Sequence, residues 1–204
     1  MKETKRFFKL LFRSSTGTAG FIIVLFICLS AVFAKWLAPF DPAAMDLMNM
    51  TKPPFWMEGG DLHNLLGTDN LGRDIFSRML YGAQISLVVG ILATLASGVM
   101  GMALGVVSGY FGGVVDHLIM RIADAVYAIP GILLALVTLM VIRSSGITTL
   151  VIVIAAISWV PYARLLRAEV LQLKNKEFVK ASRTIGASDG YIILEHILPN
   201  VWPS

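Results

Sequence analysis

Four long apolar runs constrain this chain more than any other feature of its sequence. They cover approximately residues 18–38, 85–109, 118–142 and 147–168. A helix needs about 20 mostly apolar residues to cross a hydrocarbon core of roughly 30 Å, and each run supplies them. The chain is 56% hydrophobic and only 15% charged, whereas an ordinary soluble domain carries about 25% charged residues. An all-α, polytopic helical membrane protein is therefore expected. The lone cysteine, Cys28, excludes a disulfide framework and a cysteine-based metal cluster.

In the first run Lys35 lies late enough to snorkel and Trp36 sits like an interfacial anchor. The second is rich in Gly and Ala, a poor helix in water but tolerated in lipid, where the backbone must bond to itself. Pro130 and Pro161 are expected to kink the third and fourth. Lys2, Lys5, Arg6, Lys9 and Arg13 precede the first run, and Lys174, Lys176, Lys180 and Arg183 follow the fourth. The 39–84 segment holds six acids and three bases. By the positive-inside rule the N-terminus, the 110–117 turn and the 169–204 tail are cytoplasmic, and 39–84 and the Arg143–Gly146 turn lie outside. The basic start, apolar run and Val32-Phe33-Ala34 also fit a cleaved signal peptide. The run is long enough to stay in the membrane, and bulky Ile27 argues against lipidation at Cys28. The apolar approach from Ile197 to Ser204, with no closing basic tail, is expected to lead into further spans.

Pro39, Pro42, Pro53 and Pro54 break regular structure in the outer segment. Then follow Gly67, Thr68, Asp69, Gly72, Arg73 and Asp74. The two glycines permit sharp turns, and Asp69 or Asn70 is a candidate cap for the next helix. Leu71, Ile75, Phe76 and Met79 outline an interfacial helix. The motif reads as a structural elbow, or as a contact with substrate or partner through Asp69, Arg73 or Asp74. His63 is a lone histidine.

Ala93, Ser97, Gly101, Gly105 and Gly109 recur at every fourth position, a small-residue helix face about 24 Å long. Such a face admits a close helix neighbour, either within the chain or as a moving contact with another subunit. Arg121 and Asp124 share a face of the third run. They read as an ion pair at the helix base or, with Arg164 and Arg167, as the inner mouth of a pathway. Deeper positions carry no acid, so ion-driven coupling is not indicated.

The tail from Glu177 to Ile185 reads as a short helix, with Phe178, Ala181, Ser182 and Ile185 on a small, mostly apolar face and Lys180, Arg183 and Thr184 toward the other side. Gly186 ends it. Ser188 or Asp189 starts a second helix, which Pro199 is expected to terminate. The pair forms either a hook for a soluble partner or a cap lying on the membrane surface. No phosphate loop, metal-ligand cluster or nucleic-acid-binding patch accompanies these features. Neither catalysis nor a cofactor is expected.

Three regions together resemble the permease subunits of bacterial ABC dipeptide/oligopeptide importers, the second permease most closely. They are the N-terminal arm and span before Ala38-Pro39-Phe40-Asp41-Pro42; the stretch from His63 through Gly67-Thr68-Asp69 and Gly72-Arg73-Asp74 to Tyr81-Gly82-Ala83; and the stretch from Tyr162 to Arg167, then Phe178-Val179 through Gly186 to Leu198-Pro199-Asn200. The resemblance implies a type I importer permease fold with four of about six spans present. Residues 1–84 form the arm, first span and outer linker, and 85–204 the partial permease core with its coupling loop at 169–199. It places Glu177, Phe178, Lys180, Ala181, Ser182, Ile185, Gly186, Leu198 and Pro199 in the loop that seats on an ATP-binding subunit. The family's usual Glu-Ala-Ala is Lys180-Ala181-Ser182 here, a reversed charge, and His196 replaces an apolar residue. The implied partners are a second permease subunit, two ATP-binding subunits, an extracytoplasmic solute-binding protein, a peptide substrate and the bilayer, with no nucleic acid. The implied location is the bacterial inner membrane. Nickel and glutathione importers share these motifs, and a non-transporting membrane scaffold is the alternative of a different class.

Overall fold

The computed structural model describes residues 11–144 and 146–201. Lys2, Lys5, Arg6 and Lys9 of the basic arm, Ser145 of the outer turn and Trp202–Ser204 lie outside the described residues. Ser14 opens α1 (Ser15–Val32), its hydroxyl accepting from Gly17 N at 3.3 Å. Phe33 interrupts the helix, and the short α2 (Ala34–Leu37) follows. Ile22, Ile23, Val24 and Phe26 expose more than half their surface, apolar area that suits contact with lipid.

The interfacial helix expected around 71–79 does not form as a separate element. From Ile75 the chain winds without interruption to Phe111, the 37-residue α3. At 1.5 Å per residue this is about 55 Å, well beyond the roughly 30 Å core. Neither Asp69 nor Asn70 caps it. Asp74 does, its carboxylate accepting from Ser77 N at 2.8 Å. By contact the chain divides into two compact units, residues up to Val88 and residues from Val89, and α3 contributes to both.

The third apolar run forms two helices that meet at Pro130 in a bend far sharper than a kink. α4 (Gly113–Ala128) and α5 (Gly131–Ile142) are bent by 98°. Proline disfavours the helical region for the residue before it, and Ile129 is extended (φ −97°, ψ 130°). Pro130 leaves helical geometry as well, with ψ 124°. Pro161, by contrast, lies inside the continuous α6 (Ile147–Leu173). The difference is packing: Trp159, Val160 and Ala163 around Pro161 are buried, whereas Pro130 and its neighbours are exposed. Among the described residues three helices are long and apolar enough to cross a membrane, or four spans are present if the bent pair is one.

After α6 come α7 (Glu177–Thr184), α8 (Asp189–Tyr191), a π-helical segment (Ile192–Ile197) and α9 (Leu198–Val201). Pro199, expected as a terminator, instead lies within a helical run that continues from Asp189 to Val201, directly after the π-helical segment. Val106, Tyr110, Val170, Val179, Ile192 and Ile197 form one buried cluster that joins the ends of α3 and α6 to this region.

Candidate functional site

In the first unit the proline-marked segment folds back on itself. Thr68 is buried; its hydroxyl donates to Asn49 O and accepts from Lys52 N at 2.9 Å. Asp69 accepts from Leu71 N, Arg73 N and Arg73 Nε, all within 3.0 Å, and Arg78 adds a second cation at 3.2 Å. Burial pushes the Asp69 carboxyl up, but these hydrogen bonds outweigh it and hold its pKa below the usual carboxylate range. The buried Asp74 accepts from Asn64 Nδ2 at 3.0 Å as well as capping α3. Gly67 and Gly72 are left-handed, at φ +77° and +71°, and a Cβ on either would run into the backbone of Lys52 or Asp46. The motif residues thus satisfy one another, and the His63 ring lies tilted against Phe40, 4.8 Å between centroids. Among the described residues no His, Cys, Asp or Glu group could hold a metal.

In the second unit the small-residue face of α3 packs against α6. Ala93 and Ser97 are buried, with Ser97 Oγ donating to Ala93 O at 2.6 Å. A Cβ on Gly101 would lie 2.5 Å from Tyr162 Cβ, on Gly105 2.6 Å from Ala163 O, and on Gly109 2.9 Å from Arg167 O. Backbone meets backbone along this ridge, an approach that only glycine permits.

Arg121 and Asp124 are not brought together as an ion pair. Asp124 pairs with Arg164 of α6 at 2.8 Å, and Asp116 with Arg167 through two contacts of 2.5 and 2.6 Å. Ser108 of α3 donates to Asp116 as well. Residues three apart on one helix were the visible candidates, yet Arg164 and Arg167 compete across the helix interface and win. Arg121 and Asp124, with Asp116, His117 and Arg167, line an open recess of about 350 Å³. Arg164 also lies over the Tyr127 ring, 4.9 Å from its centroid.

α7 turns Val179 into the buried cluster, while Phe178, Ala181 and Ile185 face outward. Ile185 is 86% exposed. Glu177 and Lys180 form an exposed pair at 3.4 Å, and Ser182 Oγ lies 2.9 Å from His196 Nε2 of the π-helical segment. Gly186 adopts φ +87° with open space around it. Ser188 caps α8 by accepting from Tyr191 N at 3.3 Å. Leu198 packs half-buried against the cluster, and Pro199 is exposed. Sequence reasoning missed Val179 as the inward anchor. It also missed Tyr110, whose hydroxyl donates to Asp189 Oδ1 at 2.6 Å. Tyr110 is 79 residues from that partner, and no local pattern marks such a pair.

Among the described residues this arrangement is that of an all-α, polytopic membrane protein. Over residues 101–204 the chain matches the family of binding-protein-dependent transport system inner membrane components. Over residues 3–54 it matches the N-terminal TM domain of oligopeptide transport permease C. It is 39% identical over 190 residues to the dipeptide transport system permease protein DppC of Haemophilus influenzae, covering 93% of this chain and 64% of that protein. It is 39% identical over 194 residues to the oligopeptide transport system permease protein OppC of Bacillus subtilis, covering 95% and 61%. Against the glutathione transport system permease protein GsiD of Escherichia coli it is 43% identical over 183 residues, covering 89% and 58%. The chain thus spans roughly three fifths of these relatives' length. The protein belongs to the family of binding-protein-dependent transport system inner membrane components.

Proposed function

We propose that this chain is the second permease subunit of an ATP-driven ABC importer for di- and oligopeptides. It supplies half of the translocation pathway in the bacterial inner membrane, with its N-terminus cytoplasmic and residues 39–84 outside. A second permease completes the pathway, an extracytoplasmic binding protein delivers peptide, and two separate subunits bind and hydrolyse ATP. Residues 1–84 form the arm, first span and outer linker, with the Gly67–Asp74 elbow setting where α3 begins. Residues 85–204 form the transmembrane core, with Arg121, Asp124, Arg164 and Arg167 at the inner mouth of the pathway.

The observation that carries this reading is the hook at 177–199. Val179 fastens α7 to the body, which leaves Phe178, Ala181 and Ile185 presented together beside the Gly186 turn. Exposed apolar side chains beyond the spans, next to Lys176 and Lys180, suit a cytoplasmic protein groove better than lipid. ATP-driven closure of the two ATP-binding subunits biases the pathway by favouring one hook position over the other. The names of the relatives support a peptide substrate, and the GsiD match supports glutathione as the second reading.

The test is reconstitution of the full-length complex in liposomes with Phe178→Ala. Loss of this anchor should cost at least about 2 kcal/mol of ATP-subunit binding and uncouple hydrolysis from uptake. Normal subunit retention and uptake would return 177–199 to a surface cap. Cysteine probes at Asp61 and Lys176 in a Cys28-free variant should label from opposite sides of the membrane. Labelling from one side would refute the topology.

A further inference from the structure

The turn at Gly186 is mechanically weak on its own. Its left-handed φ of +87° suits glycine, and nothing lies within 4 Å of where a Cβ would stand. A push on α7 applied through such a turn would be absorbed there. The structure, however, spans the turn with side chains at two points: Ser182 Oγ lies 2.9 Å from His196 Nε2, and Tyr110 reaches both arms from α3. Tyr110 stands at the end of α3, 5% exposed, its ring within the buried cluster beneath the hook. Its hydroxyl donates to Asp189 Oδ1 at 2.6 Å and accepts from Arg183 Nη2 at 3.1 Å. The Arg183 guanidinium also lies 5.5 Å from the Tyr110 ring centroid. Arg183 is three residues before Gly186 and Asp189 three residues after. A single buried oxygen therefore holds both arms of the turn and ties them to α3. Both hydrogen bonds are charge-assisted, the stronger kind. Next to it Lys174 donates to Gly109 O at 2.8 Å, which fastens the end of α6 to the same end of α3.

We infer that Tyr110 is a positioning residue, a brace across the Gly186 turn that makes the hook move as one piece with α3. The inference rests on the reading of 177–199 as the coupling element. Without the hydroxyl, Val179 and the Ser182–His196 contact still hold α7, but its charged tie to Asp189 and α3 is lost, and the Gly186 turn yields more under load. ATP hydrolysis would then continue with less of each closure reaching the spans.

The experiment uses the full-length assembled transporter in proteoliposomes, comparing wild type with Tyr110→Phe, which removes one oxygen and keeps the packed ring. Solute taken up per ATP should fall at least about fivefold, from the loss of two hydrogen bonds to charged groups, with subunit stoichiometry unchanged. Asp189→Ala, which removes one of the two hydrogen bonds, should produce a smaller fall in the same direction, and combining the two should add little to Tyr110→Phe, which already removes that bond. A merely structural tyrosine would lower thermal stability and the yield of complex while leaving the uptake-to-ATP ratio at the wild-type value. That result overturns the brace. Phe178→Ala run in parallel separates the two readings. If it lowers the ratio while Tyr110→Phe does not, the brace alone fails. If neither changes the ratio, the hook reading fails with it.

Discussion

Gly105 and Gly98 lie on the same helix, yet one methyl group should have opposite consequences at the two positions. Replacing Gly105 with Ala places a Cβ 2.6 Å from Ala163 O and 3.1 Å from Ala163 Cα and Leu166 Cβ. Ordinary contact begins near 3.4 Å, so the two helices must part by almost an ångström. The obstacle is backbone, which cannot rotate away. Overpacking of this kind costs about 1–3 kcal/mol. Gly98→Ala meets nothing within 4 Å. It carries only the change in helix propensity, worth about 1 kcal/mol in water and less where lipid already enforces backbone bonding. Because Gly105→Ala shares that change, the difference between the variants isolates the packing cost. It amounts to roughly a 5- to 150-fold difference in the folded-to-unfolded ratio. The measurement is reversible unfolding of the two purified variants in detergent, followed by tryptophan fluorescence, since Trp159 is buried against this ridge. Gly105→Leu should abolish the α3–α6 contact while still inserting into the membrane. Equal stability of Gly98→Ala and Gly105→Ala would refute the close approach.

Three further outcomes follow from the same geometry. Asp74→Ala removes the N-cap of α3 and its bond from Asn64; it should cost about 0.5–2 kcal/mol and speed amide exchange at Ser77. Asp61 is held at about 2 by the hydrogen bond from Lys52 Nζ, then by the backbone N–H of Asn64. With its folded pKa depressed, its contribution is complete above about pH 4, the unfolded value, and is lost as pH falls toward 2. Trp56 fluorescence should report that acid transition and should not report it in Asp61→Asn. Arg167→Ala strands a mostly buried Asp116 and should cost up to about 3 kcal/mol. Arg164→Ala breaks the exposed pair with Asp124 and should cost about 1 kcal/mol or less; unfolding midpoints of the two variants, compared side by side, check the order.

How much of this was legible in the sequence depended on the range of the interaction. The apolar runs, the four-residue spacing of Ala93 through Gly109 and the glycine at 186 are all written locally, because one helix or one turn determines them. The helix break at Pro130 was visible as a proline but not as a 98° bend. The same residue type at Pro161 leaves α6 continuous, and only the surrounding packing separates the two cases. The cap of α3 was misplaced for a related reason. Asp69, Asn70 and Asp74 all suit a cap, and the choice falls to Asp74 because Asp69 is already engaged by Arg73 and Arg78.

Ion pairing shows the limit most clearly. Spacing along the chain reveals partners three or four residues apart, so Arg121–Asp124 was the visible pair. The pairs that form, Asp116–Arg167 and Asp124–Arg164, are separated by 51 and 40 residues. They exist because the glycine ridge of α3 fixes where α6 runs, and α6 then carries both arginines past α4. The small-residue spacing and the long-range charges are thus parts of one arrangement. The first is written in the chain as a period; the second is only a consequence of the packing that the period permits. Tyr110 belongs to the second kind, since its two partners come within reach only once Val179 and Ile192 have buried the hook against the end of α3.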